Sequence, residues 1–164
     1  MKEHSVTNIL VQKKKGSDLS AADVARIVLM LERGGEVDPE SAREELPKCQ
    51  IVSLKIEDRQ IVSVAALKSV RRAYNRSRSK KSGHGLSDDV PEFGYVVTDK
   101  AYQERGYGRV VCDAILQDLN GPLFATVRID NEPMIHILET RGFTRKGKRW
   151  LSRLRTAYLG LWVR

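Results

Sequence analysis

Gln103-Glu104-Arg105-Gly106-Tyr107-Gly108 lies between the apolar run Tyr95-Val96-Val97 and a helical pattern from Arg109 to Leu119. The three together read as strand, loop and helix. Two glycines let the backbone turn tightly and approach a ligand closely, and the unsatisfied N–H groups of the helix that follows point at whatever anion sits there. A pyrophosphate is the natural guest. The spacing lacks the third glycine of the dinucleotide fingerprint and the Gly-Lys-Ser/Thr of the nucleoside-triphosphate loop. It is Gln/Arg-x-x-Gly-x-Gly.

A second stretch, Asn131-Glu132-Pro133-Met134-Ile135-His136-Ile137-Leu138-Glu139-Thr140-Arg141-Gly142-Phe143, begins with an asparagine suited to cap a helix and ends in Gly-Phe. The two motifs, in this order and at this distance, resemble the coenzyme A pyrophosphate loop and the following motif of the GNAT superfamily of N-acetyltransferases. The resemblance is carried by Pro91 to Phe143 and, before Pro91, by the order of elements alone. It implies a GNAT fold of the α/β (α+β) class, a mixed, mostly antiparallel central sheet flanked by helices, in one domain over residues 1–164.

The resemblance also implies acyl transfer from an acyl-CoA co-substrate, most often acetyl-CoA, to an amine acceptor by direct attack in a ternary complex. A bulge that frees backbone N–H groups for the thioester and pantetheine arm maps to Val96 and Val97, and the pyrophosphate loop maps to Gln103, Arg105, Gly106, Tyr107, Gly108 and Arg109. Glu92 stands eleven residues before Gln103, where many members place a general base. A carboxylate there needs burial to raise it from about 4.3 toward the working pH. Asn131 maps to a contact with the pantetheine arm or ordered water, and a plain helix cap is its other reading. Many members carry a thiolate-protonating tyrosine seven residues after that asparagine, where this chain has Leu138. His136 lies about 200° around the helix from Leu138 and is a poor substitute, leaving Tyr107 and Tyr158 as weaker candidates.

Composition sets limits. With 164 residues the chain fits one domain. Cys49 and Cys112 are isolated and His4, His84 and His136 scattered, so neighbours in sequence build no metal site; a reducing, cytoplasmic setting without a metal cofactor is the simplest expectation. No apolar stretch approaches the ~20 residues of a membrane span, and the polar amino terminus lacks a signal-peptide core.

The net charge of +8 is unevenly placed. All 21 acidic residues fall at or before Glu139, whereas Arg141, Arg145, Lys146, Lys148, Arg149, Arg153, Arg155 and Arg164 follow it with no acidic side chain among them. Arg71, Arg72, Arg76, Arg78, Lys80 and Lys81 form a second cluster. Such clusters either attract phosphates, of coenzyme A or of nucleic acid, or form a solvated face. Three functions stay open: an N-acetyltransferase, a weakly or non-catalytic acyl-CoA-binding module, and an acetyltransferase whose acceptor is associated with nucleic acid. A homodimer is compatible with each.

The remaining pattern predicts a strand over Thr7 to Gln12, a helix capped by Ser20 or Asp18 and ended at Gly34-Gly35, and a short helix from Asp38-Pro39-Glu40 to about Leu46. A hairpin follows, Ile51 to Ile56 and Ile61 to Leu67 around Glu57-Asp58-Arg59-Gln60. Ser69 to Asp89, poor in apolar residues and rich in serine, reads as a long mobile loop near the acceptor side. Leu123 to Ile129, Trp150 to Leu154 and Tyr158 to Val163 read as the last strands, giving the order βααβββαβαββ.

Overall fold

The computed structural model describes residues 7–35, 37–57 and 60–164. The elements run β1 (Ile9–Lys15), α1 (Ala21–Arg33), α2 (Pro39–Glu45), β2 (Gln50–Ile56), β3 (Gln60–Leu67), α3 (Arg72–Ser82), β4 (Phe93–Thr98), α4 (Tyr107–Leu116), β5 (Phe124–Arg128), α5 (Glu132–Glu139), β6 (Thr144–Leu151) and β7 (Tyr158–Val163). This is the mixed, mostly antiparallel α/β arrangement that the sequence predicts, with one helix more. His4 and the hairpin residues Asp58 and Arg59 lie outside the described residues.

The chain forms two compact units, one from the residues up to Ala66 with Tyr95–Leu119, the other from Leu67–Gly94 with Asn120–Arg164. The first is built on a sheet of order β1-β2-β3-β4. β1 and β2 are antiparallel from Ile9 opposite Ile56 to Lys15 opposite Gln50. Local capping sets the helix boundaries here. Ser20 accepts from Asp23 N at 3.1 Å to start α1, and Asp38 accepts from Ser41 N at 2.9 Å to start α2, where Pro39 has no N–H to lose. Ile27, Val28, Met30 and Leu31 recur at three and four along α1 and bury against Ile51, Ile61 and Val64 of the sheet.

The second unit has a sheet of order β5-β7-β6, antiparallel throughout. Alternation along β7 assigns its faces. Leu159, Leu161 and Val163 join a core with Tyr74 of α3, Leu86, Val90, Phe124 and Trp150. Trp162 points the other way, its Nε1 donating to Glu139 Oε1 of α5 at 3.5 Å. α3 and α5 therefore cover opposite faces of this sheet.

α3 corrects the loop expected over Ser69 to Asp89. Its sequence, Arg72-Ala-Tyr-Asn-Arg-Ser-Arg-Ser-Lys-Lys-Ser82, has no apolar stripe, so hydrophobic periodicity cannot reveal it. Polar side chains fasten it instead. Buried Asn75 donates through Nδ2 to the carbonyls of Val90 (2.8 Å) and Ser87 (3.0 Å), Ser79 Oγ accepts from Leu86 N at 2.8 Å, and Arg76 grips Asp88 with both Nε and Nη2. Gly83, in the left-handed region, closes the helix. The serines and asparagine that read as loop residues are its anchors.

β6 is the second correction. The strand expected at Trp150 to Leu154 runs from Thr144 to Leu151, and Leu154 lies beyond it, well exposed. Thr144 to Arg149 are all exposed polar or glycine residues. Backbone pairing with β7 holds them in a strand that side-chain alternation does not announce.

Candidate coenzyme A site

The loop after β4 is positioned from Asp99. Its Oδ1 accepts from Ala101 N at 2.9 Å, its Oδ2 pairs with Arg26 of α1, and its own N–H donates to Val62 O of β3 at 2.8 Å. A 3-10 turn, Lys100–Tyr102, follows, and Gln103 reaches back to Thr98 O at 3.3 Å. Two of the next residues take positive φ, Glu104 at 64° and Gly106 at 78°. This alternation curls successive N–H groups toward one side, the geometry of an anion nest. Gly106 is the N-cap of α4, with no side-chain cap, and an added Cβ there would meet nothing within 4 Å. The start of α4 is thus uncapped and open. The loop brings together Gln103, Arg105, Gly106, Tyr107, Gly108 and Arg109, all exposed or half-buried, with Arg105 against the Tyr102 ring.

The hydrogen bond from Ala101, and then that from Arg26, hold the Asp99 carboxyl below the usual carboxylate range. Because the folded form prefers the ionised group, its stabilisation is complete above about pH 4 and is lost as pH falls through the lowered value. Asp99→Asn should therefore lower the neutral Tm and make the acid side of the Tm–pH curve shallower. An unchanged curve would show that Asp99 does not anchor this loop.

β4 ends before that loop and carries a backbone irregularity, since Tyr95 has φ 48°. Non-glycine residues reach this region at a cost of about 1–3 kcal/mol, and such outliers gather at ligand sites. Val96 and Val97 follow it, half-buried, and Val97 packs on the α1 core. Before it, Glu92 makes an isolated parallel bridge with Phe124.

Glu92 is buried, but it is not alone. Its Oε2 lies 3.2 Å from Lys68 Nζ and 2.9 Å from an Arg71 Nη2, and its Oε1 accepts from the Tyr74 hydroxyl at 3.4 Å. Gly94 makes room for this. A Cβ there would fall 2.9 Å from Lys68 Cε, so the lysine stem uses the space a side chain would take. Burial, with the Glu92 carboxylate second, pushes the Tyr74 phenol well above its ordinary value, so it remains a donor. Lys68, Arg71 and Tyr74 were not legible as partners. They lie 24, 21 and 18 residues before Glu92, and no local pattern couples them.

In the same unit Asn131 caps α5, its Oδ1 accepting from Met134 N at 3.2 Å. Leu138, where the family pattern has a tyrosine, is 0% exposed and belongs to the core, while His136 is exposed. Leu138→Tyr adds a larger, hydroxylated side chain to that core. The expected result is a loss of about 1–3 kcal/mol of stability in a denaturant titration, with no gain in turnover. A folded variant with faster thiol release would show that this position does open toward the reaction. Among the described residues no group of three His, Cys, Asp or Glu side chains could hold a metal ion, and no helix is long and apolar enough to cross a membrane.

No curated protein sequence is close enough to count as a relative. Solved structures are similar in fold at low identity. yncA from Salmonella typhimurium, solved with its cofactor acetyl-CoA, has a TM-score of 0.67 at 14% identity over 96% of this chain and 93% of its own. An acetyltransferase of the GNAT family from Streptococcus pneumoniae has 0.64 at 14% over 96% and 99%, and Arabidopsis thaliana NAA60, in complex with a bisubstrate analogue, 0.64 at 13% over 94% and 97%. The model of the acetyltransferase (GNAT) family matches residues 28–143, from within α1 to the Gly-Phe after α5, and so includes both motifs; the chain belongs to the acetyltransferase (GNAT) family.

Proposed function

We propose that this protein is an N-acetyltransferase that moves an acyl group, most often acetyl, from a coenzyme A thioester to an amine. The observation that carries the reading is the Glu104–Gly106 curl opening onto the uncapped start of α4, a cradle suited to a pyrophosphate. Gln103, Arg105, Gly106, Tyr107, Gly108 and Arg109 form that cradle, mainly through backbone N–H groups. Val96 and Val97, after the outlier at Tyr95, offer backbone groups to the pantetheine arm and the thioester oxygen.

The bound coenzyme supplies the acyl group already activated as a thioester. The protein's part is to hold it beside the acceptor and to manage protons. The surroundings of Glu92 favour an electrostatic anchor over a proton acceptor, because Lys68 and Arg71 already use its charge. An amine that arrives neutral from solution needs no base before it attacks; the ammonium formed with the new C–N bond then gives its proton to water or to the leaving thiolate. A thiol leaves tolerably as its anion at a pKa of about 8.5, so the absence of a donor at Leu138 slows the reaction without forbidding it.

The buried leucine also favours a second reading, an acyl-CoA binder with little turnover. Calorimetric titration with coenzyme A and acetyl-CoA tests the shared part, and failure of both to bind would remove both readings. Thiol release from acetyl-CoA, with and without a panel of polyamines, amino acids and peptide amines, then separates them. Amine-dependent release supports the enzyme; binding without release supports the binder.

A further inference from the structure

We infer that the basic face formed by the last turn of α3 and the edge strand β6 binds a single strand of nucleic acid. Gly147 joins the two elements. It takes φ 69°, and a Cβ there would lie 2.3 Å from Ser82 O, so the β6 backbone rests directly on the end of α3. Lys80 and Lys81 thereby stand next to the bulged segment that carries Lys146, Lys148 and Arg149, with Arg145 on the other face of the same edge strand, all six exposed.

The arrangement is more than a run of charge. β6 is the outer strand of its sheet, with an open backbone edge. Its register with β7 slips between Lys146 and Trp150, where Gly147, Lys148 and Arg149 together face Gly160, pushing the middle of the strand outward. Lys146 shares a face with Leu161, and Arg145 shares the opposite face with Trp162, so cations flank this edge on both sides. The guanidiniums of Arg145 and Arg149 lie against the rings of Trp162 (5.7 Å) and Tyr158 (4.2 Å). Planar cations held on rings are platforms on which an unpaired base can stack, while the lysines take phosphates. A second stack holds the face together, with Arg78 of α3 against Tyr74 and Trp150 of β6. Of the nearby acids, Asp88 and Asp89 pair with Arg76 and Arg72, and Glu139, which accepts from the Trp162 indole, is a single negative charge against six cations. The face keeps its positive field. Stacking platforms favour a single strand over a duplex, whose bases are covered.

Fluorescence anisotropy with a labelled single-stranded RNA of about 16 nucleotides tests this. With four or more phosphates neutralised at about −0.7 per contact, a log–log salt slope near −3 is expected, and affinity should fall by roughly 50-fold between about 50 and 200 mM salt. Lys146→Glu/Lys148→Glu should weaken binding by more than about tenfold and make the slope shallower. Lys80→Gln/Lys81→Gln, on the other element, should do the same to a smaller degree and guards against a folding defect in β6. The inference is overturned if no binding occurs at about 50 mM salt, if both variants bind like the parent, or if duplex DNA or phosphatidylserine vesicles bind more tightly than the single strand.

Discussion

Replacing Glu92 by glutamine is expected to destabilise the fold by about 3–5 kcal/mol, because it leaves Lys68 and Arg71 without the buried carboxylate that matches them. The Lys68 side chain is only 10% exposed, so solvent does little to replace the lost partner. Tyr74 loses its ionised acceptor at the same time, and with it part of the hold of α3 on the sheet. Denaturant titration reads this directly. A general base makes a different signature: Glu92→Gln then keeps its stability, loses about 10²–10⁴-fold in kcat and loses the acid limb of the pH–rate profile. A variant stable to within about 1 kcal/mol of the parent would therefore reject the anchor role. Lys68→Met/Glu92→Gln adds a check, since removing a charge from each side should recover part of the lost stability.

Gly106→Asp is expected to reduce coenzyme A affinity by at least about 100-fold, or about 2.7 kcal/mol. Space within the protein is not the reason, as an added Cβ meets nothing. The carboxylate would stand at the mouth of the nest proposed to receive the pyrophosphate. Two like charges about 4 Å apart near a protein surface repel by roughly 4 kcal/mol before salt screening. Aspartate and asparagine both tolerate the left-handed region better than most residues, so the φ of 78° adds a cost common to both. Gly106→Asn therefore isolates the charge and should stay within about tenfold of the parent. Equal calorimetric affinities for all three proteins would move the pyrophosphate away from this loop.

How legible each of these sites is in the sequence follows from the range of the forces that build it. Gly106 and the cap at Asn131 were readable because left-handed turns and helix starts depend on residues within four positions of each other. Asp38 was readable for the same reason, and Ser20 was one of two candidate caps, with Asp18. α3 was not, since its side chains carry no apolar period and its hold depends on Val90, Ser87 and Phe124. The strand at Thr144–Leu151 was hidden similarly, as an edge strand that buries little is held by its partner's backbone.

For the site, the sequence by itself determined the class of fold and the strand, glycine turn and helix proposed to hold the pyrophosphate, because these three are contiguous and their chemistry lies mainly in the backbone. Only the tertiary structure decided the surroundings of Glu92 and Leu138. Register in the sequence places a carboxylate at position 92 but does not bring Lys68, Arg71 and Tyr74 onto it, and an apolar residue at 138 reads alike in a cleft or in a core. Electrostatic and packing environments are sums over neighbours distant in the chain, and those neighbours are assembled only when the chain folds.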